Sequence, residues 1–323
     1  MSTISLRELL RHGRSAAMLA AVMLLAAPPA HAQTSLRLSL DWRLEGPAAM
    51  FLVPQDRGYF QQEGLDVVVD EGTTSLDPIS RVASGSHQIG FADINMLIKY
   101  RDQNPSAPVK AIFMVYNKPP FAIVSRKSRG ITEPKQLEGK KLGLPPIGAT
   151  FGEWPLFAKI NEIDVSKVAV EQIGIPVRVP MLAAGQIDAA LGYSFRLYVD
   201  LKDRGVPIDD IVLLQMANYG LKLYGNAIVV NSKLAAEQPA VVKAFLRALT
   251  RGMKETIRNP TGAVASVLKR DESAKREVEL ERLRMAIRDN VLTPEVRANG
   301  FGAIDQARLE ESIGQLALTH SFK

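Results

Sequence analysis

Residues 65–91 read LDVVVDEGTTSLDPISRVASGSHQIGF, and their order of residue types decides the fold class. Leu65 to Val69 is a β-branched run of strand length. Gly72-Thr73-Thr74-Ser75 is a loop, and Asp77-Pro78 has the form of an N-cap followed by the first residue of a helix running to about Ser84. Gly85 then stands where a helix ends in the left-handed region, and Gln88 to Phe91 reads as a strand again. Strand, loop, helix, glycine, strand is the repeating unit of a parallel sheet covered by helices.

Working outward, the unit recurs. Leu36 to Trp42 alternates apolar and polar residues as a strand, and Gly46-Pro47 breaks it before a helix to about Arg57. Downstream come a helix from Ile94 to Asp102 and strands at Ala111–Tyr116, Phe121–Arg126 and Lys141–Leu144. Gly148-Ala149-Thr150 leads into a further helix, with strands expected at Val168–Ile173, Ala189–Tyr193, Ile211–Gln215 and Asn226–Asn231. Residues 80–91 and 180–191 echo one another: each is a helix closing in small residues, a glycine (Gly85, Gly185), a short turn and a strand. Two lobes of similar α/β construction fit this echo. After Asn231 the pattern is helical throughout, with Pro239, Pro260 and Pro294 near helix starts.

Composition narrows the functional classes. With 46% hydrophobic and 23% charged residues, the 323-residue chain is globular rather than disordered. A net charge of +6 without a long basic run gives no nucleic-acid-binding stripe. The absence of cysteine excludes disulfides, thiolate metal sites, cysteine nucleophiles and a cysteine-anchored lipoprotein. Residues 1–32 read as a cleavable signal peptide. Arg7, Arg11 and Arg14 precede a 13-residue apolar stretch, Ser15 to Ala27, and Ala30-His31-Ala32 has the small-x-small form of a cleavage site. The stretch is shorter than the roughly 20 residues a spanning helix needs. Export to the periplasm follows as an expectation. Of four His, only His87 and His320 would remain, which disfavours histidine-based catalysis or a metal site.

Particular blocks then resemble a known family. Leu40-Asp41-Trp42, Gly58-Tyr59-Phe60 with Glu63-Gly64-Leu65, Val82-Ala83-Ser84-Gly85, Leu137-Glu138-Gly139-Lys140-Lys141 and Leu182-Ala183-Ala184-Gly185-Gln186-Ile187-Asp188 occur in matching order over about residues 36–230. They are similar to the periplasmic solute-binding proteins of ABC importers, in the sulfonate, taurine, nitrate and thiamine-pyrimidine-precursor (NMT1-like) branch. The resemblance implies a type II two-lobed α/β fold with a hinge of two crossover strands and C-terminal helices packed on the first lobe. Lobe 1 would comprise residues 33–120 and 225–323, and lobe 2 residues 121–224. It also implies a monomer that binds a small molecule and meets a membrane permease and its ATPase, with no cofactor, metal or nucleic acid.

In open parallel sheets a ligand sits beyond the carboxyl ends of strands, where helix N-termini leave N–H groups free. The residues that fall there are the candidate site. Trp42 offers a stacking face. Thr73, Thr74 and Ser75 offer hydroxyls ahead of a helix; Thr150, Phe151 and Gly152 hold the corresponding place in the second lobe. Asp93 and Asn95 follow a strand end, where Asp93 serves equally as acceptor for a ligand N–H or as helix cap. Tyr193 and Arg196 follow another, with Arg196 suited to a carboxylate or sulfonate. Two other functions compete with import: a periplasmic sensor that presents its solute to a receptor, and a pyrimidine-synthase-like enzyme of the same fold. The enzyme would need active-site His and an iron motif rich in Cys, which this composition disfavours.

Overall fold

A computed structural model describes residues 33–323, so the signal-peptide expectation for residues 1–32 lies outside the described residues. Among the described residues ten strands form two five-stranded sheets. Sheet 1 contains β1 (Thr34–Ser39), β2 (Leu65–Asp70), β3 (Ile89–Asp93), β4 (Val109–Met114) and β10 (Asn226–Asn231) in the order β2-β1-β3-β10-β4. Sheet 2 contains β5 (Phe121–Arg126), β6 (Lys141–Leu144), β7 (Ala169–Gln172), β8 (Ala189–Tyr193) and β9 (Ile211–Gln215) in the order β7-β6-β8-β5-β9. The two orders are the same arrangement repeated. The echo at 80–91 and 180–191 enters β3 and β8, the middle strands of their sheets, and Gly85 (φ 82°) and Gly185 (φ 74°) both take the left-handed conformation.

One expectation is corrected. The sheets are mixed, not wholly parallel: β10 runs antiparallel to β3 and β4, and β5 antiparallel to β8 and β9. A helical crossover returns the chain to the end it left, which makes the next strand parallel. The links into β5 and β10 contain no such helix. Each crosses directly from the other sheet and enters at the cleft end, with Phe121 opposite Tyr193 and Asn226 opposite Asp93.

Helices used below are α1 (Ala49–Asp56), α2 (Leu76–Ser84), α3 (Ile94–Gln103), α4 (Ala149–Ile160), α5 (Ile175–Ala183), α6 (Ser194–Asp203), α7 (Pro239–Arg258), α8 (Arg276–Ala286) and α9 (Gln306–Leu316). Leu36, Leu38, Phe51, Phe60, Phe245 and Leu249 build the first core, so α7 covers sheet 1 as expected. Gly252 is needed there because a Cβ would stand 2.4 Å from Pro54 Cδ. The final helix goes further than expected. Leu316 of α9 is buried in the second core with Trp154 and Phe157 of α4. Gln315 Nε2 donates to the Gly220 carbonyl (2.8 Å) and Ser312 Oγ to that of Lys222 (3.0 Å).

On the way, the C-terminal segment clasps both crossovers. Asn290 Nδ2 donates to the Lys118 carbonyl (3.1 Å) and Thr293 Oγ1 to Asn117 Oδ1 (2.7 Å). Arg308 Nη2 donates to the carbonyls of Asn117 (2.6 Å) and Leu223 (3.3 Å), with its guanidinium 3.9 Å from the centre of the Tyr224 ring. The crossovers also bind each other, since Tyr116 N–H donates to Asn226 O (2.8 Å) and Gly225 N–H to Tyr116 O (2.9 Å).

Candidate functional site

The carboxyl ends of β1, β3 and β8 and the starts of α2, α4, α5 and α6 converge between the sheets. A cavity of about 50 Å³ is lined there by Trp42, Thr73, Thr74, Ser75, Thr150, Tyr193 and Arg196, all expected from the sequence, together with Asp41 and Arg178. An adjoining cavity of about 30 Å³ lies among Trp42, Glu45, Phe91, Tyr116, Phe195 and Arg196. A water occupies roughly 30 Å³ in the liquid, and organic-ligand pockets hold roughly 300–1,000 Å³. Admitting an organic solute therefore requires the two sheets to part. Outside these two, the mouth opens into a groove of about 570 Å³ that includes Trp42, Glu45 and Arg196.

Gly72 brings the 72–75 loop against the first strand's end: a Cβ there would stand 2.2 Å from the Leu40 carbonyl oxygen. The loop's donors are partly spent. Thr73 gives both its N–H (2.6 Å) and its hydroxyl (2.7 Å) to Asp77 Oδ2, and Thr74 Oγ1 accepts from Leu76 N–H (3.3 Å). Asp77 was expected as the N-cap of α2; the helix instead begins two residues earlier, at Leu76 with Ser75 in the cap position, and Asp77 folds back onto the loop. Ser75 Oγ accepts from Asp93 N–H (3.2 Å) and donates to Asp41 Oδ2 (3.3 Å).

Asp41 is the hub of a buried polar cluster that joins the sheets. Its Oδ2 accepts from Asn226 Nδ2 (2.8 Å) and from the Tyr193 hydroxyl (3.4 Å), which comes from sheet 2. Burial pushes the Asp41 carboxyl above its ordinary value, against the Arg196 charge and these hydrogen bonds. Asp93 and Asn95 are buried behind this cluster and do not line either cavity. Asp93 Oδ1 caps α3 by accepting from Met96 N–H (2.9 Å), while Asn95 Nδ2 donates to Asp93 Oδ2 (3.1 Å) and to the Tyr224 carbonyl (2.8 Å). Of the two roles open to Asp93, the cap is the one present. Phe151 packs into the second core. Gly152 presents its carbonyl to Lys99 Nζ (3.1 Å), which also pairs with buried Glu153 (2.8 Å) and so ties α3 to α4.

Arg196 is placed differently from its expected role. Its Nε donates to Glu45 Oε2 (2.9 Å), while Glu45 Oε1 accepts from Trp42 Nε1 (2.9 Å). The guanidinium carbon lies 4.3 Å from the centre of the Trp42 ring, 5.5 Å from that of Tyr193 and 5.9 Å from that of Phe195. A planar cation thus occupies an aromatic box and holds sheet 1's loop to sheet 2's helix. Burial alone would raise the Glu45 carboxyl; the Arg196 and Arg282 charges and two hydrogen bonds outweigh it and hold Glu45 below its ordinary value. Arg282, from α8, in turn pairs with Asp200 of α6 and with Glu279.

Sequence reasoning missed Glu45, Asp41 and Arg178 as site residues. Asp41 stands inside the quoted Leu40-Asp41-Trp42 block, and Arg178 is the lone charge in the apolar run Ile175 to Ala183; those were the available signals. The two histidines of the described chain lie away from the cleft, His87 bonded to Asp70 and His320 to Asp102.

A family model described as "NMT1/THI5 like" matches residues 47–263. The riboflavin-binding protein RibY of Chloroflexus aurantiacus is 27% identical over 246 residues, covering 74% of this chain and 68% of that protein. The formylaminopyrimidine-binding protein of Halalkalibacterium halodurans is 26% identical over 289 residues, covering 87% and 84%. Other relatives, one from Schizosaccharomyces pombe at 25% identity, are named 4-amino-5-hydroxymethyl-2-methylpyrimidine phosphate synthase. Among solved structures, the periplasmic aliphatic sulphonate binding protein SsuA of Escherichia coli superposes with a TM-score of 0.70 at 11% identity, over 88% of this chain and 86% of that one. That likeness establishes the periplasmic-binding-protein fold.

Proposed function

Because the chain belongs to the NMT1/THI5-like family, we propose that it is the periplasmic solute-binding component of an ABC importer. It would capture a small organic solute between two lobes and deliver it to a membrane permease driven by an ATPase. The lobes would be residues 33–120 with 225–323, and residues 121–224, with the final helix reaching across to pack on the second. The observation that carries the reading is the shared lining of the cleft. Trp42, Glu45 and Ser75 come from sheet 1's side and Thr150, Tyr193 and Arg196 from sheet 2's, so a solute held there is gripped by both. Trp42 would offer its face to a planar ring once the Arg196 guanidinium that covers it moves away, in keeping with relatives named for riboflavin and a formylaminopyrimidine.

Capture without chemistry is favoured over catalysis by the relatives named as riboflavin- and formylaminopyrimidine-binding proteins, the second of which matches over 87% of this chain. A sensor that presents the same solute to a receptor would use the same cleft. Growth on the solute as sole source separates the two: import makes growth depend on this protein, and sensing does not.

The test of capture is a thermal-shift screen of the purified protein against pyrimidines, flavins, aromatic carboxylates, sulfonates and nitrate. Calorimetric titration of the best hit follows. Trp42→Ala is expected to weaken an aromatic solute by about 1–2 kcal/mol through lost stacking and burial. Thr150→Val is expected to cost about 1 kcal/mol where a ligand oxygen loses its donor. Wild-type affinity in both variants would place the solute elsewhere.

A further inference from the structure

Arg178 is buried, only 4% exposed, in the first turn of α5. Among the described residues it forms no ion pair. Its Nη1 donates to the Leu191 carbonyl, and its Nε has no hydrogen-bond partner. Burial, and secondarily the Arg196 charge, lower it to about 10, so it remains cationic at neutral pH. A buried unpaired cation is costly, and the positive end of a helix dipole makes this position worse.

The surroundings add to the positive potential. Arg178 lines the 50 Å³ cavity together with Gly148, Ala149 and Thr150, the start of the twelve-residue helix α4. No side chain caps that helix, and Gly148 takes the cap position with φ 106°. Ile175, at the start of α5, also lines the cavity, and α5 too lacks a side-chain cap. Asp41 is the one carboxylate among the lining residues, and its Oδ2 already accepts from Asn226, Ser75 and Tyr193. Two uncapped helix starts and a guanidinium with no ion-pair partner among the described residues, balanced only in part by the more distant Asp200 charge, therefore face one small space, and an anion suits it.

We propose that this cavity is an oxyanion subsite, in which Arg178 and the first turn of α4 receive the carboxylate, sulfonate or phosphate end of the captured solute. The inference rests on the reading of the cleft as the capture site and sharpens it. The solute carries an anionic head at Arg178 and directs the rest of itself toward Trp42.

The experiment uses inorganic probes. Melting of the purified wild-type protein is followed in titrations of sodium sulfate and sodium phosphate against sodium chloride at matched ionic strength. The expected result is a saturable upward shift with the oxyanions that chloride does not give. In Arg178→Met the oxyanion midpoint should move up at least tenfold, with Arg178→Lys between the two. A wild-type protein without a saturable oxyanion shift would overturn the subsite, as would Arg178→Met saturating at the wild-type midpoint. If the methionine variant does not fold, the wild-type and lysine titrations still decide. Failure of the subsite alone is recognisable, because a neutral solute from the screen would bind without competition from sulfate. Failure of the capture reading would leave both solutes and oxyanions unbound.

Discussion

Asp93 alone is expected to withdraw on the order of 4–5 kcal/mol of stability as pH rises from about 4 to about 8, against the opposite trend of carboxylates such as Glu45 that are held below their ordinary values. Burial, and secondarily the nearby Glu153 charge, push Asp93 from an ordinary 3.8 to about 8. The folded chain therefore holds a proton that the unfolded chain releases near pH 4. The stabilisation is fully present below that pH and is lost as pH rises through about 8. Asp93→Asn removes the titration while its amide oxygen can still accept from Met96 N–H. The variant should be slightly less stable than wild type at pH 5 and clearly more stable at pH 8. Urea unfolding at both pH values checks this; parallel curves for the two proteins would show that Asp93 is ionised in the fold.

Replacing Arg196 by alanine is expected to destabilise the closed arrangement of the protein by about 3 kcal/mol, the lower end for breaking a buried ion pair. Both partners keep some contact with water, at 14% and 20% exposure, which places the loss at that end. The cause is Glu45, left charged beside Trp42 with only the more distant Arg282 to balance it. Adding Glu45→Gln to the alanine variant removes the orphaned charge and should recover much of the loss. Chemical denaturation of the single and double variants tests the argument. An alanine variant as stable as wild type would mean that the pair contributes nothing to holding the sheets together.

Much of the fold was legible because it is encoded locally. Phe121–Arg126, Lys141–Leu144, Ala189–Tyr193, Ile211–Gln215 and Asn226–Asn231 have the boundaries that β-branched and apolar runs suggest. Gly85 and Gly185 close their helices as a residue without a Cβ permits. Strand direction was less legible. Whether β5 and β10 run with or against their neighbours depends on which sheet the preceding link came from, and no pattern inside a strand reports that.

The site divides in the same way. Trp42, Thr150, Tyr193 and Arg196 were found because strand ends and helix starts are visible in sequence. Their partners were not. Glu45 opposite Arg196 and Asp41 opposite Tyr193 are 151 and 152 positions apart in the chain. Asp93 carried two equal readings until the Met96 N–H fixed one. Arg178 shows the limit most plainly, since the lack of a partner for a buried charge is a property of three-dimensional surroundings.

The clasp of residues 290–312 over both crossovers has a mechanical consequence. Two ribbons that cross side by side in opposite directions can bend, shear and twist, and each mode would carry its own share of thermal motion. Arg308 holds Asn117 on one ribbon and Leu223 on the other, and α9 fastens the far side to the second core. A splint fixed at both ends adds torsional and shear stiffness to the joint, so twist and slide between the two sheets are the motions it opposes.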